Sequence, residues 1–407
     1  MLKTDLKNYA KLLVRKGLNV QRGQSVIINA QIETENFVCL VAEECYRAGA
    51  ERVETEWQYT PLSRIQAERK TLEELSRVTC WQEEKMREEC KNLPARLYLI
   101  SEDPDALNGI DPIKYAEAAR ARSLILKPYR DKTENRQQWC IAAAAGEAWA
   151  KKVFPKDTGS VAKEKLWNTI LSCSRSIGNP IGNWNEHNAF LASRSEWLNS
   201  LNLRSLEYKS ENGTHLKVGL MKESIFAGGV EKTLSGIEFN PNIPSEEVFT
   251  TPKKGNAEGV VYSTKPLSYQ GQIIRNFSLR FENGKAVEAH ASQGEAALKK
   301  MLAADEGAAY LGECALVASD SPVGRSGLLF YNTLFDENAS CHLALGRGFP
   351  ECIRGFENYR LEELREMGLN DSAIHVDFMM GTDDLEITGV TESGERVKIF
   401  ENGGWVK

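Results

Sequence analysis

Hydrophobic positions in the first half of the chain form short apolar runs separated by longer stretches with helical spacing. Leu6–Lys16 carries apolar residues at intervals of three and four and predicts an amphipathic helix. Ser25–Asn29 (SVIIN) predicts a short buried strand. Glu35–Ala48 groups Phe37, Val38, Leu40, Val41 and Ala42 on a helix that Gly49 closes. Val53–Trp57 follows as a strand, then Pro61–Lys91 as a long charged helix, then Leu97–Ile100 as a strand ending in the turn-rich SEDPDALNG. Ile113–Arg122 reads as a helix, Ser123–Lys127 as a short strand, Gln138–Ala144 as another strand, and Ala145–Val153 leads into a helix. Strands separated by helices of this length imply a parallel α/β sheet with right-handed crossovers. The segment GNPIGNWNEHN (Gly178–Asn188) has loop composition, with His187 expected at the surface or in a substrate groove.

The pattern changes from about Leu206, where alternation with a period of two takes over. LEYKSENGTHLKVGL predicts two strands joined at Asn212-Gly213, with Leu216, Val218 and Leu220 on one face and His215 exposed on the other. A proline-containing loop, IEFNPNIPSEEVFTTP, presents Glu246 and Glu247. Strands are predicted at Gly259–Tyr262, Ile274–Phe281 and Ala286–His290, a helix at Gln293–Asp305, and a strand at Tyr310–Leu316. The expected fold class is therefore α/β: an N-terminal parallel α/β domain over residues 1–205, then a β-rich α+β domain over residues 206–407.

Composition narrows the function. A length of 407 residues favours two domains, and a hydrophobic fraction of 42% with 27% charged residues is ordinary for a globular protein. A net charge of −6 gives no basic groove for nucleic acid. The first residues are charged throughout and no apolar run reaches membrane-spanning length, so neither a signal peptide nor a membrane partner is expected. The 9 cysteines include no CxxC pair, which points to reduced thiols and a cytoplasmic protein. Cys341 and Cys352 are expected to be small buried hydrophobes. No GxGxxG or GxxxxGK[ST] follows a strand, so the α/β half lacks a phosphate-cradling loop.

The chemistry gathers in the C-terminal half. Of 5 histidines, His342 and His375 fall within GLLFYNTLFDENASCHLALGRGF and NDSAIHVDFMMGTDDLEI. Positions i and i+2 of a strand share a face, so His375 and Asp377 aim an imidazole and a carboxylate at one spot. Alone, a His-x-Asp pair is more often a hydrogen-bonded pair than a metal site. Glu247, Glu313 and Glu337, however, are also flanked by apolar or small residues, where a carboxylate is costly unless paired or metal-bound. Together these four carboxylates and two histidines could hold two divalent ions about 3.5–4 Å apart.

The runs NIPSEEVFTTP, YLGECALV, SGLLFYNTLFDENASCHLALG and NDSAIHVDFMMGTDDLEITG with IFENGGWVK resemble the thermophilic-type metallo-aminopeptidases, the M29 peptidases. The likeness extends, more weakly, over the N-terminal half. It implies a cocatalytic two-metal site with Glu247 of the EEVF pair, Glu313, Glu337, His342, His375 and Asp377 as ligands and Glu313 bridging. Which of Glu246 and Glu247 binds metal stays open, and Glu246 is the candidate general base. The ions would be zinc, cobalt, manganese or magnesium, the substrates peptides with a free N-terminus, and the protein a homodimer. The N-terminal domain would cap the site or mediate dimerisation. Two positions depart from the family pattern: Phe349 stands where a tyrosine is usual, and Arg325 where a glutamine is typical. Those changes leave room for a weakened scaffold, and the ligand set alone also suits another dinuclear hydrolase such as a phosphoesterase.

Overall fold

The computed structural model describes residues 2–106, 108–269 and 272–406. Two compact units emerge: residues 1–187 with 230–244, and residues 188–229 with 245–407. The chain passes from the first unit to the second within the helix Pro180–Ser200, and residues 230–244 return to the first. The period-two patterning near Leu206 therefore begins after the passage itself.

In the first unit five parallel strands lie in the order Arg52–Gln58, Ser25–Gln31, Ala95–Ile100, Trp139–Ala143, Asn242–Ile243. Val26, Ile28, Leu97 and Ala142 are fully covered, as a sheet flanked by helices requires. Three expectations fail here. Ser123–Lys127 belongs to one helix, Pro112–Thr133, which Asp111 caps by accepting from the N–H groups of Ile113 and Lys114. A short apolar run cannot distinguish strand from helix, and Leu124 and Ile125 are exposed rather than buried. The long helix expected over 61–91 is three helices, Thr60–Arg69, Leu72–Ser76 and Cys80–Asn92, restarted by capping boxes at Thr71 and Thr79. The segment read as a loop around His187 is helical from Pro180, a favoured first helical position. His187 is buried, edge-on to Trp184 at 5.5 Å, so it is a core residue and no groove histidine. The SEDPDALNG turn is seen except for Leu107, which lies outside the described residues.

The second unit holds two antiparallel sheets. The larger has nine strands, and the predicted hairpin lies inside it: Leu203–Lys209 pairs with His215–Leu220 around Gly213, whose φ of +101° suits a residue without Cβ. His215 is exposed and Leu216, Val218 and Leu220 are buried. The helix expected at 293–305 is shorter, Glu295–Leu302, because the Asp305 carboxylate organises a turn by accepting from the N–H groups of Gly307, Ala308 and Ala373. The smaller sheet orders Val248–Thr250, Leu311–Leu316, His342–Gly346 and His375–Met379. One core, containing Val218, Phe277, Leu316, Leu343 and Phe378, joins the two sheets.

Candidate metal centre

The register of the smaller sheet brings the predicted donors to one face. Glu313 stands opposite Ala344, which stands opposite Asp377; His342 stands opposite Ala315 and Met379, and His375 opposite Gly346. Directly paired residues share a face, as do residues two apart in a strand. Glu313, His342, His375 and Asp377 therefore project together. At the edge strand Phe249 lies opposite Ala315, which puts Glu247, two positions earlier, on that face as well. The alternate residues Cys314, Leu316, Leu343, Leu345 and Phe378 point into the core and fix this register. Ala315, Ala344 and Gly346 are the small residues between the acids, and they leave space for what the acids hold.

The distances are those of a ligand cluster. His342 Nε2 lies 3.2 Å from Glu247 Oε2, and His375 Nε2 lies 3.2 Å from both Glu313 Oε2 and Asp377 Oδ1. Ligand atoms of Glu247, Glu313 and His342 all fall within 4.8 Å of one another, and so do those of Glu313, His375 and Asp377. Glu313 is common to both groups. On the far side of each ring, His375 Nδ1 is 2.7 Å from the Arg347 carbonyl and His342 Nδ1 is 3.4 Å from the Ser340 carbonyl. A ring that donates from Nδ1 to a carbonyl presents the Nε2 lone pair, the usual arrangement behind a metal-bound histidine. Asp377 Oδ1 is buried, and its near neighbour is His375 Nε2.

Glu246 and Glu337 belong to neither group. Glu337 ends the short helix Thr333–Glu337, and Glu246 precedes the edge strand. Glu246 is tied to that helix by Asn338, which sequence reading passed over. Its Oδ1 accepts from the Glu246 N–H at 2.6 Å and its Nδ2 donates to the Leu334 carbonyl at 2.7 Å. Asn370 was also missed: Nδ2 donates to the Gly346 carbonyl at 2.6 Å, beside the Arg347 carbonyl that orients His375. An asparagine within NDS or DENASCH gives no sign in sequence that its amide will be buried.

Burial and like charge control the protonation of this cluster. Burial disfavours charge on His342, but its hydrogen bond to Glu247 and the charges of Glu247, Glu313 and Asp377 prevail and raise its pKa to about 10. His375 is raised to about 11 by Asp377 and Glu313, again against burial. Burial raises Glu313, and the neighbouring Asp377 and Glu247 add to it, to about 7. Burial also pushes Glu337 well above the carboxylate range, with Asp377 and Glu247 contributing. The metal-free cluster thus retains protons at neutral pH that a bound cation would displace.

The neighbouring residues fall into place. Cys341 and Cys352 are fully buried with their thiols pushed up, Cys341 to about 12, so both act as small hydrophobes. The Phe349 ring is 4.8 Å from the His375 ring and 5.5 Å from the Phe249 ring. Arg325 is on the surface, 4.0 Å from Asp320.

The description of thermophilic metalloproteases (M29) matches residues 2–405. The chain belongs to this M29 family. It is accordingly a metal-dependent peptide hydrolase, and the clustered imidazoles and carboxylates are where its divalent metal chemistry can reside. Aminopeptidase AmpS of Bacillus subtilis (strain 168) is 42% identical over 402 residues, 98% of either chain. Aminopeptidase T of Thermus thermophilus is 38% identical over 406 residues, 99% of either chain. The solved wild-type AmpT from Thermus thermophilus superposes with a TM-score of 0.93 at 37% identity, covering 100% of both chains. This M29 chain thus has the mixed α/β fold of that structure. Among its described residues no helix is long and apolar enough to cross a membrane.

Proposed function

We propose that this M29 chain removes N-terminal residues from peptides at a site for two divalent cations that share Glu313. The carrying observation is the pair of donor groups, Glu247–Glu313–His342 and Glu313–His375–Asp377, with one residue in common. Charge supports the count: Glu247, Glu313, Glu337 and Asp377 beside two neutral imidazoles would balance two divalent cations, whereas buried carboxylates without a counter-charge are costly. Glu337, whose carboxyl feels Asp377 and Glu247, completes the donor set. Nitrogen and oxygen donors suit zinc, cobalt or manganese, and magnesium less well.

Cations bound there would polarise the scissile carbonyl and lower the pKa of the attacking water. The side chains do the rest. Glu246, buried beside Glu247 and held by Asn338, takes a proton from the water and passes it to the leaving amine. The substrate's α-amine meets the acidic cluster, which limits cleavage to the first residue. The Arg347 and Ser340 carbonyls hold the two imidazoles in the tautomer that leaves Nε2 as a ligand.

The test is elemental analysis of purified, remetallated protein alongside turnover of aminoacyl anilides and of nitrophenyl phosphate. About two metal equivalents per chain, anilide hydrolysis abolished by chelator and inert phosphate are expected. One equivalent or none would remove the two-cation reading, and phosphatase activity alone would replace the peptidase. We further propose a homodimer in a reducing cytoplasm. Light scattering that gave only a 45.5 kDa species at micromolar concentration would overturn the dimer.

A further inference from the structure

Within the second unit a cavity of about 540 Å³ adjoins the turn that carries Glu337 and His342. Its wall includes Lys265, Gly324, Gly327, Ser340, Gly381 and Asp383. Ser340 lies between Glu337 and His342 in sequence, and its carbonyl faces His342 Nδ1. Ser340 is 7% exposed, and its Oγ is buried with no hydrogen-bond partner. Gly381 keeps that wall bare, since a Cβ there would come within 2.8 Å of Ser340 Cβ and 2.7 Å of the Cys341 nitrogen. Lys265 is the sole cation among the described lining residues. Its ammonium makes one long hydrogen bond, 3.5 Å to the Leu328 carbonyl. Burial lowers its pKa, and the attraction of Asp336 offsets this only in part. Asp336 is itself engaged, accepting from the N–H groups of Phe330 and Asn332. A half-buried ammonium short of acceptors, a buried hydroxyl without a partner and bare glycine backbone form a receptor for a carboxylate. Asp383, the acid on this wall, is exposed to solvent.

Resting on the peptidase reading, we infer that this cavity receives the C-terminal carboxylate of short peptide substrates through Lys265 and Ser340. Length fits. Ser340 and His342 are two positions apart, at most about 7 Å of extended chain. A dipeptide or tripeptide with its first peptide bond at the acidic cluster covers that scale. Longer chains would have to place backbone in the cavity instead and would lose the charged contact. The site would thus make the enzyme a finisher of peptide breakdown, consuming what endopeptidases and oligopeptidases release.

The experiment compares a tripeptide acid with its C-terminal amide on the metal-loaded, full-length enzyme. The expected KM for the acid is at least about tenfold lower, the range of a hydrogen bond to a charged group. Lys265→Ala should bring the acid-to-amide ratio of KM close to one, and Lys265→Arg, which keeps a cation, should preserve the preference. Equal KM values in the wild type overturn the inference. So does a Lys265→Ala variant that weakens acid and amide alike, which would make Lys265 a prop for the Asp336 turn. If neither peptide nor an aminoacyl anilide is cleaved, the peptidase reading fails separately. The acid-to-amide ratio is then read from calorimetric binding of the uncleaved peptides, with the same two outcomes deciding.

Discussion

Phe349 packs against His375 at 4.8 Å between ring centres, and a phenyl ring can offer no hydrogen bond where the sequence pattern leads us to expect a phenol. Phe349 is only half-buried, so a hydroxyl added to its ring has room to remain solvated. Phe349→Tyr is expected to raise kcat on a leucyl anilide roughly tenfold, less than the about 10²–10³ that one fully placed oxyanion donor contributes, while KM changes little. An unchanged kcat with a lower melting temperature would give Phe349 a packing role only. His342 is the opposite case, 1% exposed and 3.2 Å from Glu247. His342→Ala should lose at least one metal equivalent by elemental analysis and leave Glu247 buried without its partner, a cost of about 3–5 kcal/mol in the metal-free protein. The identity of both residues was legible in the sequence. That the Phe349 ring meets His375 was not, because the path of the chain between them decides it.

At the scale of elements, strand register does the selecting. Ala344 lies between Glu313 and Asp377 in adjacent strands, on the ligand face. Ala344→Leu would fill that space without touching the core face, where Leu343 and Leu345 pack. Metal content and activity should fall sharply while far-UV circular dichroism stays native; retained metal would show that the cations do not sit over Ala344. Register also separates two glutamates that sequence could not, since only Glu247 shares the face of Phe249. In the first unit the helix Cys80–Asn92 is tied to the sheet by Arg96, 8% exposed, which reaches Glu89 at 2.5 Å and Glu56 at 3.0 Å. Arg96→Ala strands a buried Glu89 carboxylate and is expected to cost about 3–5 kcal/mol, measured by denaturant unfolding. A change below about 1 kcal/mol would rank the pair with surface salt bridges.

At the scale of the molecule, metal, protons and stability are linked. In the metal-free protein His342 and His375 are raised to about 10 and about 11. Groups raised in this way contribute stability that is full below their ordinary pKa and is lost as pH rises through those values. Glu313, raised to about 7, has the same sign: its protonated form is favoured by folding, and that advantage disappears as pH rises through about 7. Metal binding needs the same atoms deprotonated, so protons compete with it. The increase in Tm on adding metal should therefore be larger near about pH 8.5 than near about pH 6, and binding should release protons in calorimetry with buffers of different ionisation heat. An increment that is flat or falls with pH would contradict a cluster that holds protons in the absence of metal.

Sequence by itself determined the residue types and their local geometry. His375 and Asp377 were certain to share a face once His375–Met379 formed a strand, because strand side chains alternate. The Asn212-Gly213 turn was equally local, since glycine tolerates the positive φ that it requires. Tertiary structure decided everything that depends on partners distant in the chain. Ser123–Lys127 became helix because it extended a helix capped by Asp111. Residues 230–244 returned to the first unit, and Asn242–Ile243 added a fifth parallel strand beside Trp139–Ala143. Asn338 and Asn370 acquired their importance from carbonyls and amides brought to them by folding. Local propensity is written within a few residues, whereas a buried donor set is assembled by register between strands distant in the chain, and only packing of the opposite face fixes that register.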